Sequence, residues 1–79
     1  MDSPKVTAII LLFTATLETE PRQDQSGNRI RVEAQVPASL SEPARIKILR
    51  LLLESADRFG HSVHRDGTSV IWAEIDLHT

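Results

Sequence analysis

The stretch that decides the fold is residues 42–77, EPARIKILRLLLESADRFGHSVHRDGTSVIWAEIDL. Its first part predicts an amphipathic helix over residues 42–59, because apolar residues recur there at helical spacing opposite charged ones. Ser41 is the expected N-cap, Pro43 is tolerated in the first turn, and Gly60 is expected to close the helix in the left-handed conformation. The side expected to pack on a sheet consists of Ile46, Ile48, Leu49, Leu52, Leu53, Ala56 and Phe59.

The second part of this stretch predicts a β-hairpin. Residues 61–65 and 68–77 flank the dipeptide Asp66-Gly67, which favours a two-residue turn between antiparallel strands. Such a turn would place His61 and Val63 of strand three on the same face as Val70 and Trp72 of strand four. The other face of strand four would then point to the helix, with the row Ile71, Ala73, Ile75 and Leu77.

The N-terminal region predicts a further strand. Residues 5–17 are almost continuously apolar and contain Thr7, Thr14 and Thr16, which suit a pleated strand. Both faces would be apolar, so we expect this strand one to lie in the middle of the sheet. The run is short for a membrane span, and only Lys5 precedes it as a basic residue, which argues against a signal peptide.

The region between strand one and the helix has two parts. Residues 18–28 are polar, with Pro21 and a Gly27-Asn28 turn signal, and predict a long mobile hairpin loop. Residues 29–36 alternate apolar and polar side chains, which predicts strand two at an edge of the sheet. The whole predicts one α+β domain over residues 1–79, in the order ββαββ. It has a mainly antiparallel four-stranded sheet of order 2-1-4-3, and one helix on one face.

The composition excludes several classes of function. Nine Lys and Arg against eleven Asp and Glu give a net charge of −2, without the basic excess typical of nucleic-acid or anionic-membrane binding. The chain has no Cys, which excludes thiolate sites and slightly favours the cytoplasm. His61 and His64 would point to opposite faces of a strand, which disfavours a shared metal ion.

Catalytic chemistry is not expected either. Glu74 and Asp76 share a strand face and are carboxylates, but no cleft distinguishes an acid from a base. The sequence also contains no nucleotide-binding or nucleophile motif. We therefore expect no catalytic, cofactor or metal site, and a small non-enzymatic regulatory or accessory protein that acts by contact.

A single helix would leave one face of the sheet uncovered, and several apolar side chains would meet there. Such a patch is near the upper limit for a monomer, so we expect it to bind a second copy of the chain or another protein. The alternative is that the loop or the C-terminal tail covers it. The expected contact residues are Ile10, Leu12, Val63, Val70 and Trp72.

A nucleic-acid interface is the alternative from another class. Trp72 could stack on a base on the open sheet, with Arg29 and Arg31 beside it to contact phosphates. Against this stand the single aromatic residue, the acidic Glu33 and Glu74 on the same side, and the negative net charge.

Overall fold

Two helices and four antiparallel strands make up residues 4–77, the part of the chain that this computed structural model describes. They form a small α+β fold with one open sheet, whose strands lie in the order β1-β2-β4-β3. The elements in chain order are α1 (Pro4–Leu17), β1 (Arg22–Ser26), β2 (Arg29–Val36), α2 (Glu42–Ser55), β3 (Arg58–Val63) and β4 (Ser69–Asp76).

The first element is a helix, so the prediction of a central strand over residues 5–17 is wrong. The helix buries one side only, at spacings of three and four residues, and this periodicity prevails over the strand propensity of its threonines. The Thr14 hydroxyl donates to the Ile10 carbonyl at 2.8 Å, so this hydroxyl has a hydrogen-bond partner within the helix. The buried side consists of Val6, Ile9, Phe13 and Leu17.

The predicted mobile loop over residues 18–28 contains the strand β1. It pairs antiparallel with β2 through a two-residue turn at Gly27-Asn28, where Gly27 has a φ of 61°. All five residues of β1 are exposed, so no apolar periodicity could reveal it. Strand β2 has the predicted bounds, but it lies between β1 and β4, so its prediction as an edge strand is wrong.

Helix α2 begins where the sequence predicts and ends earlier. The Ser41 hydroxyl oxygen accepts from the Ala44 N–H at 3.3 Å, as an N-cap does. The helix stops at Ser55 because Ala56 takes an extended conformation, and the Asp57 N–H already donates to the Glu74 carbonyl of the sheet. The predicted cap Gly60 therefore lies inside β3.

The β3–β4 hairpin has a three-residue connection where the sequence predicts two. The His64 N–H donates to the Thr68 carbonyl, and the Gly67 N–H donates back to the His64 carbonyl, with Gly67 at a φ of 90°. As a result Val63 pairs with Ser69 and not with the predicted Val70. A shift of one residue moves every side chain of β3 to the other face of the sheet.

The two central strands are β2 and β4, not the predicted strands one and four. The centrality of β4 and the edge position of β3 are confirmed. The apolar rows of β2 and β4 face the helices as predicted, and Val32 pairs with Ala73 at their centre, both fully buried.

The core lies between these rows and the helices, since α1 contacts both β2 and α2. Each fully buried aliphatic or aromatic side chain contributes roughly 1.5–3 kcal/mol relative to exposure. The largest are Phe13, Ile9, Ile48, Leu52, Ile75 and Val32.

The element order divides into two αββ units, α1-β1-β2 and α2-β3-β4. Both helices have 14 residues, and both second strands have eight. The second strands of the two units pair antiparallel with each other, and the first strands form the two edges. The two halves therefore share an order of elements, which the sequence did not predict, while their helices differ, since α1 buries four side chains and α2 two.

Candidate interaction surfaces

The helix-free side of the sheet, here called the open face, carries mostly charged side chains. The strand register places Arg31 of β2 opposite Glu74 of β4, and Arg58 of β3 opposite the same Glu74 on its other side. Arg29 and Asp76 form the next pair along the central strands. Positive and negative side chains therefore alternate across the face.

These charges form a connected lattice of ion pairs centred on Glu74. Its carboxylate lies 3.0 Å from Arg58 Nε, 3.1 Å from Arg31 Nη1 and 3.9 Å from Arg29 Nη1. Asp76 binds Arg29 and Arg58, and Glu33 lies 3.4 Å from Arg31. Each of the three arginines of the lattice thus contacts two carboxylates.

The lattice changes the acidity of its carboxyl groups. Hydrogen bonds from Arg58 and then Arg31 hold the pKa of Glu74 below its ordinary value, against the opposing effect of desolvation. The pKa of Asp76 is also lowered, first by its hydrogen bond from Arg58 and then by that from Arg29. Both groups are therefore held ionised, which suits pairing with arginine and not general acid catalysis.

Trp72 lies within this charged face and is half-buried by two neighbours. The Arg31 guanidinium carbon stands 4.4 Å from the centre of the Trp72 ring, a cation–π distance. On the other side the ring covers Gly60, where an added Cβ would stand 2.5 Å from Trp72 Cζ2. The absence of a side chain at Gly60 is what lets the indole lie flat on β3.

The five predicted interface residues do not share one surface. Val70 and Trp72 belong to the open face, whereas the register places Val63 on the helix side of β3. Ile10 and Leu12 belong to α1, where they pack against the core. The apolar patch on which that prediction depended is therefore not formed, and contact by any single one of these residues stays a prediction.

The three residues of the predicted nucleic-acid interface are brought together. Arg29 and Arg31 lie on the open face, and Arg31 stacks on Trp72. Both arginines are bonded to carboxylates, however, so a phosphate would have to displace Glu74 or its neighbours. That arrangement weakens the electrostatic basis of the prediction.

The largest exposed apolar side chains of α2 lie on its outer surface, where the sequence predicted burial. Ile46, Leu49 and Leu53, here called the α2 stripe, have 50%, 41% and 72% of their surface exposed. They are three and four residues apart, so they share one side of the helix. The signal in the sequence was the width of the apolar arc, which exceeds what one helix can bury against a sheet.

The two helices together form the helix layer, and the part of its surface that belongs to α1 carries no charge beyond Lys5. No residue from Val6 to Leu17 is charged, although one side of the helix is exposed. Leu11 on that side has 64% of its surface exposed. The other exposed residues of this stretch are two threonines and an alanine, so Leu11 is the one large apolar side chain that it presents to water.

Other chemistry finds little geometric support within residues 4–77. No group of three or more His, Asp or Glu side chains there converges as metal ligands do. Neither described helix has the length and hydropathy needed to cross a bilayer.

Comparisons with family models, with curated proteins and with solved structures find no match for this chain.

Proposed function

We propose that this protein is a non-enzymatic interaction module that self-associates through the outer surface of its helix layer. The observation that carries the proposal is the α2 stripe, whose Leu53 is the most exposed of the large apolar residues of the described chain. Leu11 on α1 supports it, since an uncharged helix surface gains free energy when it leaves water. A second copy of the chain is the simplest partner, because a two-fold interface closes on itself.

This proposal moves the contact surface from the sheet, where the sequence predicts it, to the helices. The six charged groups of the ion-pair lattice already have partners within the chain, so covering the face would desolvate them without new bonds. Covering the α2 stripe removes apolar surface from water without desolvating the ion-pair lattice. A regulatory role and a cytoplasmic location remain parts of the proposal, and the latter depends on the lack of Cys.

Solution mass by light scattering across a concentration series tests the proposal. We expect a mass near twice 8.8 kDa at the upper concentrations, and a monomer for the variant Leu53→Glu. Lys47→Gln is the matched control, because it changes the charge of α2 by the same amount outside the stripe. It should leave the mass unchanged.

The variant Trp72→Glu tests whether the open face of the sheet, and not the α2 stripe, is the self-association surface. We expect it to stay associated, with a circular dichroism spectrum like that of the parent. Dissociation by Trp72→Glu, with retention by Leu53→Glu, would return the interface to the open face. A parent chain that is monomeric at every concentration would refute self-association.

The second candidate is a single-stranded nucleic-acid binder that uses Arg29, Arg31 and Trp72. The specific observation in its favour is that these three side chains share one face, with Arg31 stacked on Trp72. Quenching of the single Trp by a short oligonucleotide, reversed by salt, would support it.

A further inference from the structure

A cleft of about 520 Å³ opens at one end of the molecule, away from the ion-pair lattice. It lies on the helix side of the sheet, at the end where Val36 pairs with Ser69. The pair Arg29 and Asp76 marks the opposite end of the same strands. The lining residues are Leu17, Thr19, Gln35, Val36, Pro37, Ala38, Arg45, His61, Gly67, Thr68 and Ser69.

The cleft is built by four parts of the chain that meet there. Leu17 ends α1, Val36 ends β2, and Arg45 lies in the first turns of α2. The chain between β2 and α2 is held as a tight turn by a hydrogen bond from the Leu40 N–H to the Pro37 carbonyl. The β3–β4 hairpin forms a further wall, with His61 on β3 and residues 67–69 at the turn.

The polar side chains of the cleft are all donors or neutral. Arg45 supplies a permanent positive charge, and the imidazole of His61 on β3 supplies a ring N–H group. The hydroxyls of Thr19 and Ser69 can donate as well, whereas the Thr68 hydroxyl already donates to the Asp66 carboxylate at 2.7 Å. The lining contains no Asp or Glu, and within residues 4–77 Arg45 takes part in no ion pair.

The remaining wall is apolar, formed by Leu17, Val36, Pro37 and Ala38. A volume of this size, with apolar walls and a few convergent polar groups, is typical of small-molecule sites. An arginine fork matches the two oxygens of a carboxylate or phosphate.

From this geometry we propose that the cleft binds a small organic anion, with its oxyanion at Arg45 and His61 and its apolar body against Leu17 and Val36. The cleft lining includes no residue of the α2 stripe, so the proposal is argued from the cleft alone. It adds a ligand to a protein otherwise expected to act by contact alone.

Butyrate and its uncharged isostere butyramide are the probes, titrated into the ¹⁵N-labelled protein while amide resonances are followed. We expect butyrate at millimolar concentrations to shift the amides of Gly67, Thr68 and Ser69, with weaker binding of butyramide by on the order of tenfold. Equal binding of the two probes would overturn the anion assignment. No shift of these amides with butyrate would overturn the site.

Two variants test whether Arg45 supplies the positive charge that binds the carboxylate. Arg45→Gln should weaken butyrate binding by on the order of tenfold, while Arg50→Gln, on the same helix but outside the lining, should not change it. Preserved amide dispersion shows that each variant is folded. Equal affinity of Arg45→Gln and the parent would overturn the role of Arg45. Acetate, if it binds as tightly as butyrate, would overturn the role of the apolar wall.

Discussion

The position of the Trp72 indole depends on the absence of a side chain at Gly60. Its indole rests on Gly60 of the edge strand and receives the Arg31 guanidinium on the exposed side. Gly60 therefore has a steric role, unlike the turn glycine Gly67, whose φ of 90° is what favours glycine.

The variant Gly60→Ala tests this packing. The added Cβ would stand within 2.9 Å of three indole atoms, so we expect a loss of roughly 1–3 kcal/mol in the free energy of unfolding. Urea denaturation measures it. In a Trp72→Phe background the cost should fall, because the nearest indole atoms are gone. The same cost in both backgrounds would contradict the proposed contact.

Glu74 makes the stability of the domain sensitive to acid. Because the pKa of Glu74 is lowered by folding, its stabilising effect is present above the ordinary value of 4.5 and is lost as the pH falls through the lowered pKa. Glu74→Gln should therefore lower Tm at neutral pH and reduce the further loss of Tm below pH 4.5. Thermal unfolding followed across this pH range measures both effects.

The matched control for that prediction is Glu33→Gln, because Glu33 contacts only Arg31 in the lattice. Its effect on Tm should be the smaller of the two. A parallel decline of Tm with pH in Glu74→Gln and the parent would contradict the role of Glu74. High salt should reduce the difference between them, since the side chains of the lattice arginines are 38–51% exposed.

At this scale the sequence predicted the open-face position of Trp72 and its charged neighbours, and it misplaced most of the expected contact residues. It placed Trp72 beside Arg31 and Glu74, because alternation along β2 and β4 was clear. It misplaced Val63, because Asp66-Gly67 favours a two-residue turn and the chain uses three residues with Gly67 as the left-handed one. Nothing local in the sequence distinguishes these two turns.

Among the elements, α2 has the clearest local determinant. The variant Ser41→Ala removes the N-cap oxygen that accepts from the Ala44 N–H, and it should cost about 0.5–2 kcal/mol of unfolding free energy. Ser39→Ala, in the turn before the helix, is the control and should cost less. Chemical denaturation compares the two, and equal losses would argue against capping by Ser41.

Helix α1 shows why the other helix was missed. A short apolar run fits a buried strand and a buried helix equally well, and its β-branched residues favour the strand. The distinguishing pattern was the spacing of Val6, Ile9, Phe13 and Leu17. Strand β1 was missed for the opposite reason, because a polar strand with both faces in water has no burial pattern.

For the whole molecule, the number of helices determines which apolar surface stays exposed. With one helix, the sequence predicts that the helix-free face contains the apolar patch. With two helices, residues 5–17 leave the sheet, and Arg29, Arg31 and Arg58 line that face instead. The unburied apolar surface moves to the helix layer, and the cleft lies where the end of α1 meets the beginning of α2. Neither surface could be predicted while α1 was assigned to the sheet.

The pairing of the two αββ units has a consequence for how the sheet is held together. Two separate αββ chains could build the same four strands by joining edge to edge through their second strands, but they would have to meet by diffusion. Residues 37–41, between β2 and α2, turn that encounter into an intramolecular one. A short connection of this kind corresponds to a local concentration of roughly millimolar. The pairing of the two αββ units therefore does not depend on the protein concentration, because both units belong to one chain.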